Sequence, residues 1–460
     1  MSSCRSLVLA ATAVLASHLF ALDAFAVQSM APGLSAPTSS RNVSLISHIP
    51  LGGIRSVDGS TTGGFADLGR RTGDVAVEQD AGRPFVYVAR RQSPSGIVAL
   101  DLSDESDPSV LAEWTLSQDH DGPGITDIKL FRIEDKRYAA LAIQVGPRDV
   151  YENLAVVILD ISDVANGKIS ETTRINADGG YGRIFAYRHS DGRSFLFGAG
   201  GKSLDTYDLD NVLAGDHEPL NRLFIPIDVP NVEFGFNDMH AAFHLESETD
   251  RLYTSGAGGF YIYNVTDPAM PSLLASVSSA AVQIGDVIVP TPDGTTIVTT
   301  AGYRASPLRI YDIQPALDGS VSNIRTATGA WVADWRNRTA SISVRWPFIF
   351  TASMEDGFQA VNMMNPLELF TAGYYKTWTG QSSGVSDPET DRTGAIDIDV
   401  RNHDGLILVT DSNTGLWIFR MDGFQGWDGR GWGLPDISSV QNWVDGPVNA
   451  AQWPIDGGSD

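Results

Sequence analysis

The feature that most constrains this chain is a short apolar strand, ending in a polar residue, that recurs seven times. The copies are GIVALDL (96–102), AVVILDI (155–161), SLDTYDL (203–209), GFYIYNV (259–265), PLRIYDI (307–313), GFQAVNM (357–363) and GLWIFRM (415–421). A second apolar strand precedes each copy, and a third begins about eleven residues further upstream, with a period of about 46 to 57 residues. A fourth strand follows most copies. Four short strands per repeat, without helical periodicity between repeats, are typical of propeller blades.

The repeats predict an all-β fold, a seven-bladed β-propeller of four-stranded antiparallel blades. One blade exposes two apolar faces, and radial packing of blades buries both. The seventh repeat lacks a fourth strand after Met421, whereas the spare strand VSLISHIPL lies at 43–51. We therefore expect this N-terminal strand to close the ring. The predicted division is a signal peptide (1–26), a linker (27–42), the propeller (43–422) and a Trp/Gly-rich C-terminal tail (423–460).

The first residues predict export. A basic start is followed by the apolar stretch LVLAATAVLASHLFAL and by the small residues of Ala24-Phe25-Ala26, the pattern of a cleaved secretory signal. The apolar run is shorter than the roughly 20 residues of a spanning helix. We expect a mature protein without a membrane span, secreted, periplasmic or on the cell surface.

Charge and cysteine content exclude several classes of function. The 32 basic and 56 acidic residues give a formal net charge of −24. Nucleic-acid binding proteins need dense Lys/Arg surfaces, so nucleic acid is not an expected partner. The single cysteine, Cys4, lies in the predicted signal, which excludes disulfides, thiolate metal sites and a cysteine nucleophile from the mature chain.

The polar residue at the end of the recurring strand has a structural interpretation. Asp and Asn at this position can accept the backbone N–H two residues further on, as in an Asx turn. Six of the seven repeats carry such a residue: Asp101, Asp160, Asp208, Asn264, Asp312 and Asn362. Much of the acidity is therefore predicted to be turn chemistry.

Several repeats resemble the LVIVD repeat of bacterial exported propeller proteins. The segments GIVALDLSDESDP, AVVILDISD, GFYIYNVTDPAMP and GLWIF carry the resemblance, which extends over about residues 43–421. The third, sixth and seventh repeats depart from the pattern. The resemblance implies a secreted or surface-associated propeller, and it implies no particular chemistry.

Polar residues open the innermost predicted strands and should converge at one mouth of the central channel. They are Asp74, Asp127, Arg183, His240, Asp286, Ser341 and Asp397. The aspartates can serve backbone donors, whereas Arg183 and His240 break the preference of the repeat. Function in repeat proteins tends to lie where single units depart from the consensus.

Loops predicted on the same face are rich in arginine and aromatic residues. Guanidinium groups bind carboxylate, sulfate or phosphate, and aromatic faces stack on sugar rings. Pairing with nearby acidic side chains is the alternative. The candidate ligand-binding residues are Arg71, Arg90, Arg148, Arg304, Arg336, Trp335 and Trp378, together with Asp74, Asp127, Asp286 and Asp397.

Two functions remain open from the sequence. The first is a binding or scaffold protein for an anionic small molecule or glycan, or for a surface protein. The second is a lyase-type enzyme acting on an anionic polysaccharide, in which Arg183 neutralises a carboxylate, His240 takes the α-proton and Tyr181 protonates the leaving oxygen. No motif requires a cofactor, the metal content is unknown, and whether the chain binds calcium stays open.

Overall fold

The computed structural model describes residues 40–51, 72–91, 95–117, 124–144, 151–226, 235–244, 246–279, 282–302, 306–334, 338–377, 394–412 and 414–427. The predicted signal peptide, most of the predicted linker and most of the C-terminal tail lie outside these ranges. The described residues form seven antiparallel sheets arranged as the blades of a propeller, which confirms the predicted fold.

Six blades are continuous in sequence, and each adds its strands from the channel outward. Blade one consists of β3 (Thr72–Val77), β4 (Phe85–Arg90), β5 (Gly96–Asp101) and β6 (Ser109–Thr115). Blade two consists of β7 (Gly124–Ile133), β8 (Lys136–Gln144), β9 (Leu154–Asp160) and β10 (Ser170–Asn176). Blade three consists of β11 (Arg183–Arg188), β12 (Ser194–Gly200), β13 (Ser203–Asp208) and β14 (Asn221–Phe224).

The second half of the ring repeats this order. Blade four consists of β15 (Phe236–His244), β16 (Thr249–Gly256), β17 (Gly259–Asn264) and β18 (Ser272–Val277). Blade five consists of β19 (Gly285–Pro290), β20 (Thr296–Ala301), β21 (Leu308–Asp312) and β22 (Gly329–Trp331). Blade six consists of β23 (Ser341–Arg345), β24 (Phe348–Ala352), β25 (Phe358–Asn362) and β26 (Phe370–Tyr375).

Blade seven joins the two ends of the described chain. Its inner strands are β27 (Ala395–Arg401), β28 (Leu406–Asp411) and β29 (Gly415–Met421), and β2 (Val43–Ile49) supplies the outer strand. The pairing of Val43 with Met421 confirms the predicted closure. A short strand before it, β1 (Ser40–Arg41), lies in the segment predicted as a linker and pairs with β26 of blade six. The N-terminal segment therefore ties blades six and seven together.

The turns after the third strands follow the predicted Asx pattern in all six repeats that carry Asp or Asn. Each side chain accepts the backbone N–H of the residue two positions later, at 2.7 to 3.0 Å. In blade three this acceptor, Asp208, also begins the short helix α1 (Leu209–Leu213). These Asp and Asn side chains are engaged in turns at the ends of the third strands and do not line the channel cavity.

The apolar cores lie between neighbouring blades. The inner and middle strands are almost wholly buried and rich in Val, Ile, Leu and aromatic residues, as expected for sheets packed on both faces. Helices are minor: α1, the four-residue α2 (Gln314–Leu317) and a 3₁₀ turn at Val164–Asn166. In the described part of the chain, no helix is long and apolar enough to cross a membrane.

Candidate functional site: the central channel and its mouth

The innermost strands line a central channel, and the end at which these strands begin is called the mouth below. The channel holds a cavity of about 120 Å³. Its wall combines apolar side chains with the five carboxyl groups of Asp74, Asp127, Asp238, Asp397 and Asp399. The rest of the polar part of this wall consists of three cationic side chains, Lys129, Arg183 and Arg345, the imidazole of His240, and the hydroxyl residues Ser341 and Ser343.

All five carboxylates connect neighbouring blades, and Asp399 of blade seven does so by accepting the Val77 N–H of blade one at 2.9 Å. Asp397 of blade seven accepts the Val75 N–H of blade one at 2.8 Å, and Asp74 accepts the Ile128 N–H of blade two at 2.7 Å. Asp127 accepts the Ile184 N–H of blade three at 2.8 Å, and Asp238 of blade four accepts the Ile288 N–H of blade five at 3.2 Å. Each carboxylate thus satisfies a backbone donor of the next innermost strand.

Asp238, and not His240, occupies the repeated acidic position in blade four. A β-bulge precedes Asp238, as it precedes Asp127 and Asp397, and its carboxylate makes the same contact with the next blade. The sequence alignment that placed His240 at the opening of the strand was wrong by two residues. Side chains alternate with a period of two along a strand, so a two-residue shift leaves the apolar pattern unchanged.

Asp286 also departs from the predicted alignment. In blade five, the backbone N–H that donates to the carboxylate of blade four belongs to Ile288, two residues after Asp286. In blades one to three, the donor is the residue directly after the predicted strand opening, as Ile128 is after Asp127. Asp286 does not line the cavity. Its carboxylate accepts the Asn237 side-chain amide at 3.2 Å and lies 3.3 Å from the Arg338 guanidinium.

Burial makes three of the cavity carboxyl groups, Asp74, Asp127 and Asp238, difficult to ionise. Burial, reinforced by the charge of Asp397, raises the pKa of Asp74 to about 8. Burial also raises the pKa of Asp127 and of Asp238 to about 6 each. At neutral pH the Asp74 carboxyl is therefore mostly protonated, which reduces the negative charge at the mouth.

The cations of the wall contact these acids. Burial opposes the charge of Lys129, but Asp127 and Asp74 raise its pKa, and its ammonium donates a hydrogen bond to Asp127. Burial likewise opposes the charge of Arg183, and the carboxylates around it, first Asp127 and then Asp238, raise its pKa. Arg183 donates to the Thr126 carbonyl at 3.0 Å and lies 4.0 Å from Asp74.

The structure brings two of the three predicted catalytic residues to one cavity. Arg183 and His240 both line it, and Tyr181 does not. The Tyr181 hydroxyl is buried in blade three, where it donates to Asp205 at 2.8 Å and shares a 2.7 Å hydrogen bond with Tyr207. The ring lies against Gly198, at which a Cβ atom would come within 2.4 Å of it.

The predicted arginine-rich face is described in part. Arg90 pairs with Glu113 at 3.3 Å, the pairing with a nearby acid that the sequence left as an alternative. Arg91, which precedes a segment outside the described ranges, lines a recess at the mouth with Arg183, Asp74 and Asp397. The remaining candidates lie outside the described residues: Arg71, Arg148, Arg304, Arg336, Trp335 and Trp378.

A metal centre has no support in the described ranges, since no three His, Cys, Asp or Glu side chains there are placed to hold one ion.

Residues that sequence reasoning missed are Asp238, Lys129, Arg345 and Asp399. Alternation along the innermost strands was the signal that could have found them, because Lys129 and Asp399 each follow a recognised aspartate by two residues. No family model matches the chain, and a search of curated proteins found none that matches it.

Proposed function

We propose that this protein is a binding or scaffold protein of the cell envelope or the extracellular space, and that the channel mouth binds an anionic ligand or an anionic group of a partner. The observation that carries the proposal is the pair of guanidinium side chains, Arg91 and Arg183, in the recess at the mouth. The Arg183 side chain is 26% exposed, so a ligand can reach it. Guanidinium groups bind carboxylate and sulfate through paired hydrogen bonds.

The backbone supports the placement of Arg91. A Cβ atom at Gly73 would lie 2.7 Å from Arg91 Cγ, so the absence of a side chain at Gly73 leaves room for Arg91 across the innermost strand. The recess also contains Asp74 and Asp397. Because burial raises the pKa of Asp74 to about 8, one of these two carboxyls is mostly neutral at pH 7. A neutral Asp74 carboxyl reduces the repulsion that an anion would meet in this recess.

The lyase hypothesis has less support. Its general acid, Tyr181, is hydrogen-bonded to Asp205 and Tyr207, and burial raises the pKa of Tyr181 well above its ordinary range. Its base, His240, has a pKa lowered to about 3 by burial and by Arg345 and Lys129. A base this weak removes an α-proton poorly at neutral pH. Binding without turnover therefore fits the side-chain chemistry better.

Export and membership of the LVIVD-repeat propellers belong to the same proposal. The apolar start of residues 1–26 favours secretion, and the third-strand segments with their Asx turns favour the repeat family. Both imply a ligand found outside the cytoplasm, such as an acidic glycan or a surface protein. Cell fractionation with an antibody to the mature chain, together with N-terminal sequencing, would test the predicted cleavage after Ala26.

The ligand proposal is tested with charged and neutral oligosaccharides of matched length. We expect oligogalacturonate or sulfated oligosaccharides to bind by calorimetry, neutral cello-oligosaccharides not to bind, and the affinity to fall with added salt. Arg91→Gln should weaken binding roughly tenfold or more, as expected for loss of charge-assisted hydrogen bonds.

The matched control is Arg193→Gln. Arg193 lies at the turn between β11 and β12, at the opposite end of blade three, and pairs with Asp191. It should leave the affinity unchanged. Equal binding of neutral sugars, or an Arg91 variant that binds like the wild type, would overturn the proposal, and accumulation of an unsaturated product would favour the lyase.

A further inference from the structure

Among the described residues, the wall of the cavity contains one fully buried side-chain atom without a hydrogen-bond partner. Among buried side-chain atoms of the described residues that lack a hydrogen bond, His240 Nε2 alone belongs to a residue of the cavity wall. The imidazole is 6% exposed, and its ring lies 4.6 Å from that of Phe185. An unsatisfied buried polar atom destabilises the folded state, so a natural structure usually supplies a partner.

The carboxylates of the wall do not supply that partner. Asp74, Asp127, Asp238 and Asp397 each accept a backbone N–H of the next blade. Asp399 lies two residues further along its strand than Asp397, and its two oxygens accept the Val77 and Val400 N–H groups. Every acid in the wall thus has a backbone donor, and the imidazole has none.

The two charged groups with the largest effect on His240, Arg345 and Lys129, are both positive. Burial, together with these two cations, lowers the pKa of His240 to about 3. The imidazole is therefore neutral near pH 7 and carries one N–H group. A neutral N–H donor in the field of two cations attracts a negatively charged acceptor.

Arg345 lies in the cavity wall at the end of β23, away from the mouth. Its Nε donates to the Asn402 side-chain oxygen at 2.5 Å, and its Nη1 donates to the Ser343 hydroxyl at 3.1 Å. The guanidinium lies 5.6 Å from the centre of the Trp427 ring. The backbone N–H of Trp427 donates to the backbone carbonyl of Asn402 at 2.8 Å. Ser343 accepts from Arg345 and still has a hydroxyl hydrogen that can be donated into the cavity.

We propose that the floor of the channel binds a small anion, a halide or a carboxylate the size of formate, which accepts a hydrogen bond from His240 Nε2 and is flanked by Lys129 and Arg345. A volume of about 120 Å³ is smaller than the roughly 150 Å³ cavity that admits benzene, so it suits an anion of few atoms. The site lies deeper than the recess at the mouth and does not depend on the ligand proposed there.

Bromide is a suitable probe because its anomalous scattering distinguishes it from water. Crystals of the mature protein grown in sodium bromide should show an anomalous peak at hydrogen-bonding distance from His240 Nε2. In solution, bromide and formate should raise the melting temperature relative to sodium gluconate at equal ionic strength. When the concentration of the anion is ten times its dissociation constant, it should lower the apparent equilibrium constant for unfolding about elevenfold.

Two variants separate the anion from a structural role of the imidazole. His240→Leu removes the N–H group, and it should abolish both the peak and the bromide response. His240→Gln keeps an N–H donor at a similar reach, and it should retain both. Arg91→Gln, at the mouth, should leave the peak in place, so failure of the mouth proposal and failure of this one are distinguishable.

The contrary results are equally specific. An ordered water without anomalous signal at His240, with identical melting temperatures in bromide and gluconate, would overturn the proposal. A bromide response that persists in His240→Leu would also overturn it, because the stabilising anion would then be bound elsewhere. If His240→Leu fails to fold, the peak in the His240→Gln crystals decides.

Discussion

Two buried histidines on neighbouring blades, His189 and His240, differ in what their ring nitrogens contact. His189, between β11 and β12, accepts the Asp191 N–H with Nδ1 at 3.1 Å, and its Nε2 lies 3.2 Å from both the Val265 carbonyl and Asp250. The Asp250 carboxylate also accepts from the Tyr187 and Ser190 hydroxyls. His240 has no partner at Nε2.

The difference separates two uses of a buried polar side chain. Around His189 the polar groups satisfy one another and join blade three to blade four, so this network is expected to act on stability alone. Around His240 the wall is satisfied and the imidazole is not, which leaves a position for a molecule from outside the chain. The body of the blades and the lumen of the channel should therefore respond differently to mutation.

The largest expected effect comes from opening the ring. Deleting residues 27–52 removes β1 and β2, so blade seven loses its outer strand and the contact between blades six and seven is weakened. We expect a large fall in melting temperature, or failure to fold, because an exposed apolar edge is left. Deleting residues 27–39 is the control that keeps both strands. Equal melting temperatures for the two truncations would show that the ring does not depend on this strand.

The second prediction concerns the network around His189. Asp250→Ala should destabilise the protein by about 3 kcal/mol or more, because it leaves the Tyr187 and Ser190 hydroxyls and the His189 ring without their acceptor. Urea unfolding measures the change. The ligand responses of the mouth and of the channel floor should be unchanged. A loss of anion binding in this variant would show that the two regions are coupled.

The third prediction concerns the carboxylates that connect the blades. Asp127→Ala leaves the Ile184 N–H without its acceptor, and we expect a loss of about 1–3 kcal/mol in unfolding free energy. Asp127→Asn keeps an acceptor oxygen and should cost less. If the alanine variant is as stable as the wild type, the contact between blades two and three does not stabilise the ring.

The fold was more predictable than the site, and for a physical reason. The apolar alternation and the Asx residues act locally, so strands, turns and the missing outer strand of blade seven could be inferred from the sequence. Asp238 was missed because the alignment of blade four was shifted by two residues, which leaves the alternation of apolar and polar faces unchanged. Tyr181 forms hydrogen bonds with Asp205 and Tyr207, which lie more than twenty residues further along the chain, so these contacts could not be inferred from spacing.

The fourth prediction is a pH dependence set by the channel acids. The pKa of Asp74 is raised to about 8 and those of Asp127 and Asp238 to about 6, so the folded state binds protons more tightly than the unfolded state. Their contribution to stability therefore falls as pH rises from about 4 to about 8. His240, whose pKa is lowered to about 3, contributes stability that is lost as pH falls from about 6.5 to about 3.

Asp74→Asn isolates the upper part of this range. Between about pH 6 and about pH 8 the wild type should lose unfolding free energy, and the variant should lose less, because Asn does not titrate. Asp101→Asn removes a carboxylate from a turn and serves as the control of equal charge. Identical pH profiles for wild type and Asp74→Asn would contradict the raised pKa of Asp74.

The most direct test of the contrast between the two regions measures melting temperature and bromide response on His189→Gln and His240→Leu. We predict that His189→Gln lowers the melting temperature and keeps the bromide response, because its network holds two blades together. His240→Leu should keep the melting temperature in gluconate, since replacing an unsatisfied polar group by an apolar one costs little, and it should lose the bromide response. The opposite pattern, a destabilised His240→Leu that still responds to bromide, would contradict the account.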